Sequence, residues 1–268
     1  MPNQNVVLIT GASSGVGRAT AQLLAASGYR VFGTSRQPTE VPNVEMTPLD
    51  VRDDASVKAC VDTVQSRAGG IKVLINNAGH EMAGAVEELS LDESRAEFET
   101  NFFGVVRLVK AVLPSMRRQK QGRIVNVGSL SGRTPIPFLG IYSATKFALG
   151  GYTEALRHEV KPFNIHVSLA EPAFLKTPMT IHRQVAADSI SDYDPWRQRA
   201  LDAIRWYEER GPGPELVAKT ILEIVTSDNP RLRFLIGKQA KSTTRLRRFL
   251  PEGIYEQGVR RTFWLDKR

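Results

Sequence analysis

The chain opens with a strand, a glycine turn and a helix in immediate succession, and this unit restricts the fold more than any other stretch. Val6-Val-Leu-Ile-Thr10 is a short apolar run rich in β-branched residues, which suits a strand buried on both faces. Gly11-Ala-Ser-Ser-Gly15-Val-Gly17 follows, and then Arg18-Ala-Thr-Ala-Gln-Leu-Leu-Ala-Ala-Ser27, helical in pattern and closed by Gly28. Such a unit forms a phosphate cradle. The glycines let the backbone approach a pyrophosphate, and free N–H groups and the helix dipole point at it. The spacing G-x-x-x-G-x-G differs from the common G-x-G-x-x-G fingerprint, so an ordinary tight strand-to-helix turn stays open at this point.

The rest of the chain repeats the alternation. Residues 29–35, 44–49, 71–76, 123–127, 165–170 and 234–236 read as strands. Residues 53–68, 91–118, 139–161 and 214–226 read as helices. This order predicts an α/β fold with a doubly wound, Rossmann-like parallel sheet. Ligands on such sheets bind beyond the carboxyl ends of the strands. Gly11–Gly17, residues 76–79, Ser129 and residues 172–177 all follow expected strands, so they should meet on one sheet edge. A length of 268 residues and 41% hydrophobic content suit one domain over residues 1–268. No apolar run approaches the roughly 18 residues of a membrane span, and no secretory leader is read. A cytoplasmic location is therefore expected. Cys60 is the single cysteine, which excludes an internal disulfide and a cysteine-based metal site. His80, His158, His166 and His182 show no ligand spacing, so no metal site is expected.

Within this frame Tyr142 and Lys146 stand four residues apart on an expected helix, which places them on one face. An ammonium there is expected to draw the phenol pKa toward neutrality, and a phenol so tuned trades protons with an alcohol or a ketone. Such a pair is common by chance. Together, Thr10-Gly11-x-x-x-Gly15-x-Gly17, Asn76-Asn77-Ala78-Gly79, Asn101, Ser129 and Tyr142-x-x-x-Lys146 carry far more weight. In this order and spacing the set resembles the short-chain dehydrogenase/reductase family over about residues 5–180. The stretch from Asn76 to Thr177 is most similar to reductases of the hydroxysteroid and retinol type.

The resemblance implies a nicotinamide cofactor and hydride exchange with a carbonyl carbon. It implies that Tyr142 is the proton donor or acceptor, that Lys146 tunes it and binds the nicotinamide ribose, and that Ser129 holds the substrate oxygen. It assigns Asn101 to a water in a proton relay. It places the cofactor against Gly11, Ser13, Ser14, Gly15, Val16 and Gly17, the adenine-side pair Asp50-Val51, and Asn77, Ala78 and Gly79. Pro172 and Thr177 fall on the nicotinamide side. Where the family has Pro-Gly, this chain has Pro172-Ala173. If that glycine takes positive φ, Ala173 is strained by ~1 kcal/mol or more.

Cofactor choice turns on the end of the second strand. NAD enzymes of this architecture place an acid there for the ribose 2′-hydroxyl. This chain reads Thr34-Ser35-Arg36, with no acid before Glu40. Arg36 can grip a 2′-phosphate with two parallel hydrogen bonds, so NADP (NADPH) is expected.

Residues 174–212 hold an amphipathic segment in which Trp196, Ala200, Ala203 and Tyr207 recur at helical spacing. The segment is either a small helical lid over an apolar substrate or a face packed on the body of the protein or on another subunit. Residues 231–268 contain 11 Lys/Arg and 3 Asp/Glu, a net of +8, which equals the charge of the whole chain. Lys241, Arg245 and Arg248 would share one helical face there, with Leu246, Phe249 and Leu250 on the other. This pattern suits peripheral contact with an anionic membrane or an acidic partner, and equally a solvated or subunit-facing segment. No nucleic-acid recognition motif accompanies the charge.

The reading is an NADP-dependent oxidoreductase of a hydrophobic alcohol or ketone, working as a homo-dimer or homo-tetramer on a small-molecule substrate. A nucleotide-binding sensor on the same fold, or a non-redox NADP-dependent epimerase or dehydratase, is the rival.

Overall fold

The computed structural model describes residues 5–177 and 183–266. Strand β1 (Val6–Thr10) is buried along its whole length, as its unbroken apolar run predicts. Val6 and Leu8 enter one core and Val7 and Ile9 the other, because successive strand side chains point to opposite faces. The chain continues through α1 (Gly15–Ala26), β2 (Arg30–Ser35), β3 (Glu45–Pro48), α2 (Asp54–Ala68), β4 (Val73–Asn76) and β5 (Met82–Ala83). Next come α3 (Leu91–Phe98), α4 (Gly104–Gln119), β6 (Gly122–Val127), α5 (Gly140–Val160), β7 (Ile165–Pro172) and β8 (Gln184–Val185). The chain closes with α6 (Asp194–Glu209), α7 (Glu215–Thr226), β9 (Arg233–Ile236), α8 (Lys238–Phe249) and α9 (Glu252–Thr262).

The main sheet has the order β3-β2-β1-β4-β6-β7-β9, with every pairing parallel. Helices α2, α4 and α5 cover one face through Val61, Leu108, Val112, Leu149 and Leu156. Helices α1 and α7 cover the other through Leu24, Val217 and Ile221. The strand order reverses between β1 and β4, where the chain leaves the sheet in opposite directions and opens a crevice at the carboxyl edge.

Three features depart from the sequence expectation. Residues 91–118 do not form one helix: α3 passes into a π-helical turn, Glu99–Phe103, before α4. Strands β5 and β8 form a separate two-residue parallel ladder above the main sheet. Ala173 is absent from the positive-φ residues, so the alanine in place of glycine carries no left-handed strain. Its N–H donates to the Ile236 carbonyl at 3.1 Å. Among the described residues no helix is long and apolar enough to cross a membrane, and no cluster of side chains suits a metal ion.

Candidate active site

The glycine turn is shaped by close backbone contact. Gly11 and Gly15 adopt φ of 66° and 54°. A Cβ on Gly17 would stand 2.1 Å from the Gly11 carbonyl oxygen, so this position admits no side chain. Asn77 fastens the turn to the end of β4: its Nδ2 donates to the carbonyls of Thr10 (2.9 Å) and Gly11 (3.2 Å). Thr10 Oγ1 in turn accepts from the N–H groups of Asn77 and Ala78, both at 2.9 Å. No side chain caps α1 and no acid lies in its first turn, which leaves its positive end to an anion. A bare cradle of this kind fits a dinucleotide pyrophosphate.

The cradle opens into a cleft of about 740 Å³. The cleft is lined by Gly11, Ser13, Ser14, Gly15, Val16, Arg36, Asp50, Val51, Asn77, Ala78, Gly79, Ser129, Tyr142, Lys146, Pro172 and Thr177. Of the motif residues singled out in the sequence, Thr10, Gly17, Asn76 and Asn101 stand back from it. Gly17 lies beneath the turn. Asn101 lies in the π-helical turn, where Asn is a poor helix former, and its side chain makes three hydrogen bonds. Its Oδ1 accepts from the His80 N–H (3.0 Å), while Nδ2 donates to the His80 carbonyl (2.9 Å) and to Thr145 Oγ1 (3.3 Å). It braces the segment after Gly79 against α5. Asp50 is engaged by Arg52 at 2.7 Å, and that hydrogen bond holds its carboxyl down at about 2.

Tyr142 and Lys146 are both buried in the first turns of α5. Ser129 follows β6, accepts from the Ser131 N–H at 3.2 Å and hydrogen-bonds the Tyr142 hydroxyl. The expected lowering of the phenol pKa is not met. Burial pushes the Tyr142 phenol above its ordinary value, Glu81, Glu97 and Glu208 push the same way, and only the Ser129 hydrogen bond opposes. Lys146 is engaged by the backbone. Its Nζ donates to the Val127 carbonyl at 3.0 Å and lies 5.6 Å from the Tyr142 ring centroid. Burial pushes the ammonium itself down to about 8. Tyr142 therefore keeps its proton at neutral pH, which suits an acid.

A carboxylate group beside Tyr142 went unread in the sequence. Glu81 and Glu208 line the cleft, and both bind the buried guanidinium of Arg183, Glu208 at 2.7 Å. Glu97 is buried behind them, with Oε1 accepting from the Met82 N–H at 3.1 Å. Burial raises its carboxyl to about 8. Glu97 lies four residues before Asn101, and that i, i+4 spacing was the one available signal. Arg183 and Glu208 meet Glu81 only through tertiary structure.

Residues 183–190 are tied across the cleft. The N–H groups of Gln184 and Ala186 donate to the carbonyls of Glu81 (3.2 Å) and Ala83 (2.9 Å). Those of Ala187 and Ile190 donate to the carboxylates of Glu93 (3.0 Å) and Glu88 (2.9 Å). Helix α6 packs Ala200, Ala203 and Ile204 against Leu139, Tyr142 and Phe263, so it is a packed wall of the cleft. Trp196, expected on the apolar face of this helix, is 43% exposed, whereas Tyr207 stacks on Phe174 at 5.2 Å.

The chain is similar to known proteins in sequence and in fold. A family model described as short chain dehydrogenase matches residues 5–187, and the chain belongs to that family. It is accordingly an oxidoreductase acting on CH–OH or keto groups. A Bacteroides thetaiotaomicron protein named 3-ketodihydrosphingosine reductase is 40% identical over 259 residues, covering 95% of this chain and 96% of that protein. Retinol dehydrogenase 8 of Bos taurus is 38% identical over 250 residues, covering 85% of this chain and 80% of that one. A short-chain dehydrogenase structure from Streptomyces avermitilis aligns with a TM-score of 0.82 at 31% identity, covering 98% of this chain and 99% of that one.

Proposed function

We propose that this protein is an NADP-dependent oxidoreductase that reduces the carbonyl group of a hydrophobic ketone or oxidises the matching alcohol. The observation that carries the reading is the convergence of Ser129, Tyr142 and Lys146 on one cleft with the glycine cradle. Gly11 and Ser13–Val16 would hold the pyrophosphate, Arg36 the ribose phosphate, and Asp50 and Val51 the adenine side. Asn77, Ala78, Gly79, Pro172 and Thr177 would line the nicotinamide half. When bound, the nicotinamide supplies or takes up the hydride.

The protein's own residues manage the proton and the developing charge. Tyr142, held protonated by burial, gives its proton to the substrate oxygen. Ser129 uses its hydroxyl against the charge that develops on that oxygen. Lys146 supplies positive charge near the phenolate left behind. Asn101 acts at one remove, by fixing His80 and Thr145.

Ile136, Leu139, Phe174, Leu175 and Ile204 give the cleft apolar walls, which supports a hydrophobic substrate. The names of the ketodihydrosphingosine and retinol relatives support it too. A homo-dimer or homo-tetramer is the favoured assembly, supported by the exposed Phe103 and Phe147; the cytoplasmic location rests on sequence alone. Peripheral membrane contact through α8 and α9 is supported by exposed Leu246 and Phe249 among Arg245, Arg247 and Arg248 on α8, and by exposed Ile254 on α9.

The direct test is Tyr142→Phe. Removing the hydroxyl deletes the acid without emptying the cradle. NADPH binding, read by fluorescence titration, should stay close to wild type while turnover disappears. Near wild-type turnover in a folded variant would sink the mechanism.

A further inference from the structure

Glu171 is a buried carboxylate that the proton transfer above does not use. It stands at the carboxyl end of β7, one residue before Pro172, which lines the cleft. Its side chain is 1% exposed. Oε1 accepts from Arg133 Nε at 2.9 Å and from Arg233 Nη1 at 2.8 Å, while Oε2 has no partner among the described residues. A buried ion pair is a weak source of stability, because desolvation offsets most of the attraction. The placement of this one points to another use. Arg133 closes the short 3-10 turn Leu130–Gly132 that Ser129 caps, and its N–H donates to the Leu130 carbonyl at 2.9 Å. That turn lies directly on α5 at Lys146. A Cβ on Gly132 would stand 2.7 Å from the Lys146 carbonyl oxygen, closer than real Cβ contacts come. The backbone of Arg133 is held as well, since its carbonyl accepts from Arg247 of α8. Arg233 completes the cluster by donating to Glu154 of α5 at 3.1 Å. Glu171 thus joins the turn that carries Ser129 to the strand end that forms one wall of the cleft.

Resting on the oxidoreductase reading, we infer that Glu171 is a positioning residue: acting through Arg133, it fixes the turn from Ser129 to Gly132 so that the Ser129 hydroxyl stands against Tyr142 and the substrate oxygen. Glu171 and Arg133 touch neither substrate nor cofactor in this role. The pair therefore governs the rate of the chemical step and leaves the glycine cradle alone. Misplacing a reacting group by about 1 Å costs up to on the order of a hundredfold in rate.

The test compares the full-length wild type with Glu171→Gln, Arg133→Met, Arg133→Lys, Arg233→Gln and the double variant Glu171→Gln/Arg133→Met, using NADPH and a panel of hydrophobic ketones. In Glu171→Gln and Arg133→Met, kcat per NADPH-binding site should fall about tenfold to a hundredfold, while NADPH affinity by fluorescence titration stays close to wild type. The double variant should lose no more than the worse single, because both break one contact. Arg133→Lys, which keeps a cation facing Glu171, should recover most of the rate. A lowered Tm with kcat per folded site unchanged makes the pair merely structural and overturns the inference. Losses that multiply in the double variant, or a larger loss in Arg233→Gln than in Arg133→Met, overturn the route through Arg133. If Glu171→Gln fails to fold, the Arg133 variants decide the matter, since that side chain is 27% exposed. A wild type that consumes no ketone contradicts the oxidoreductase reading. Amide hydrogen exchange over residues 129–134 then decides the positioning by itself: it should rise in Arg133→Met, and unchanged exchange overturns the inference.

Discussion

Glu97 ties a single carboxyl to the pH behaviour of the molecule. Burial lifts its pKa from 4.5 to about 8, so the folded state binds a proton that the unfolded state has already lost at neutral pH. A folded pKa raised in this way gives stability that is complete below about 4.5 and is lost as pH rises toward 8. Glu97→Gln, which needs no proton, should gain on the wild type through that window by on the order of a few kcal/mol. Urea denaturation of both proteins at several pH values reads the difference, and a gap that does not change with pH contradicts it. At Arg36 the question is discrimination between cofactors. Its guanidinium is exposed on the rim of the cleft, and charge-assisted hydrogen bonds contribute about 1.5–3 kcal/mol. Wild type should prefer NADPH to NADH by roughly tenfold to a hundredfold in kcat/KM, and Arg36→Asp should lose most of that preference. Equal wild-type efficiency with both cofactors would make Arg36 a surface charge only.

Elements differ in how openly the sequence declares them. Strand β1, the glycine turn and α1 are local: an apolar run, close-packed glycines and a 3.6-residue period all lie within a few residues of each other. They appear within a residue or two of their expected bounds, except that α1 starts three residues earlier, inside the turn. The π-helical turn at Glu99–Phe103 was hidden because apolar spacing continues through it, while the hydrogen bonds made from it, Asn101 with His80 and Thr145, are tertiary. The α8–α9 pair was half legible. Helix α8 ends near Leu250-Pro251 as expected, but its basic and apolar faces are both exposed, Phe249 at 74%. Arg247 meanwhile reaches the Arg133 carbonyl. Exposed aromatic and basic residues on one helix predict binding to anionic vesicles that weakens with salt. Co-sedimentation at low salt should show more protein on anionic than on neutral vesicles, and less after removal of residues 240–268. Equal binding to the two vesicle types removes the membrane role.

At the scale of the whole molecule, the doubly wound sheet gathers residues that lie far apart in sequence. Gly11, Asn77, Ser129, Tyr142 and Thr177 come from five separate segments and meet because each follows, or packs against, the carboxyl end of a strand. That convergence was legible from the order of elements alone. The tuning of Tyr142 was not, since it depends on burial and on Glu81, Glu97 and Glu208, whose approach to the phenol is set by β5, α3 and α6. The account's central claim is that this cleft moves a hydride to a ketone while Tyr142 delivers the proton. The most direct measurement follows NADPH absorbance with the purified protein against a panel of hydrophobic ketones and aldehydes, with the alcohols and NADP run in reverse. The account predicts NADPH consumption that depends on both ketone and enzyme, with the alcohol as product. A protein that binds NADPH yet consumes none with any member of the panel, and forms none from the alcohols, would contradict it.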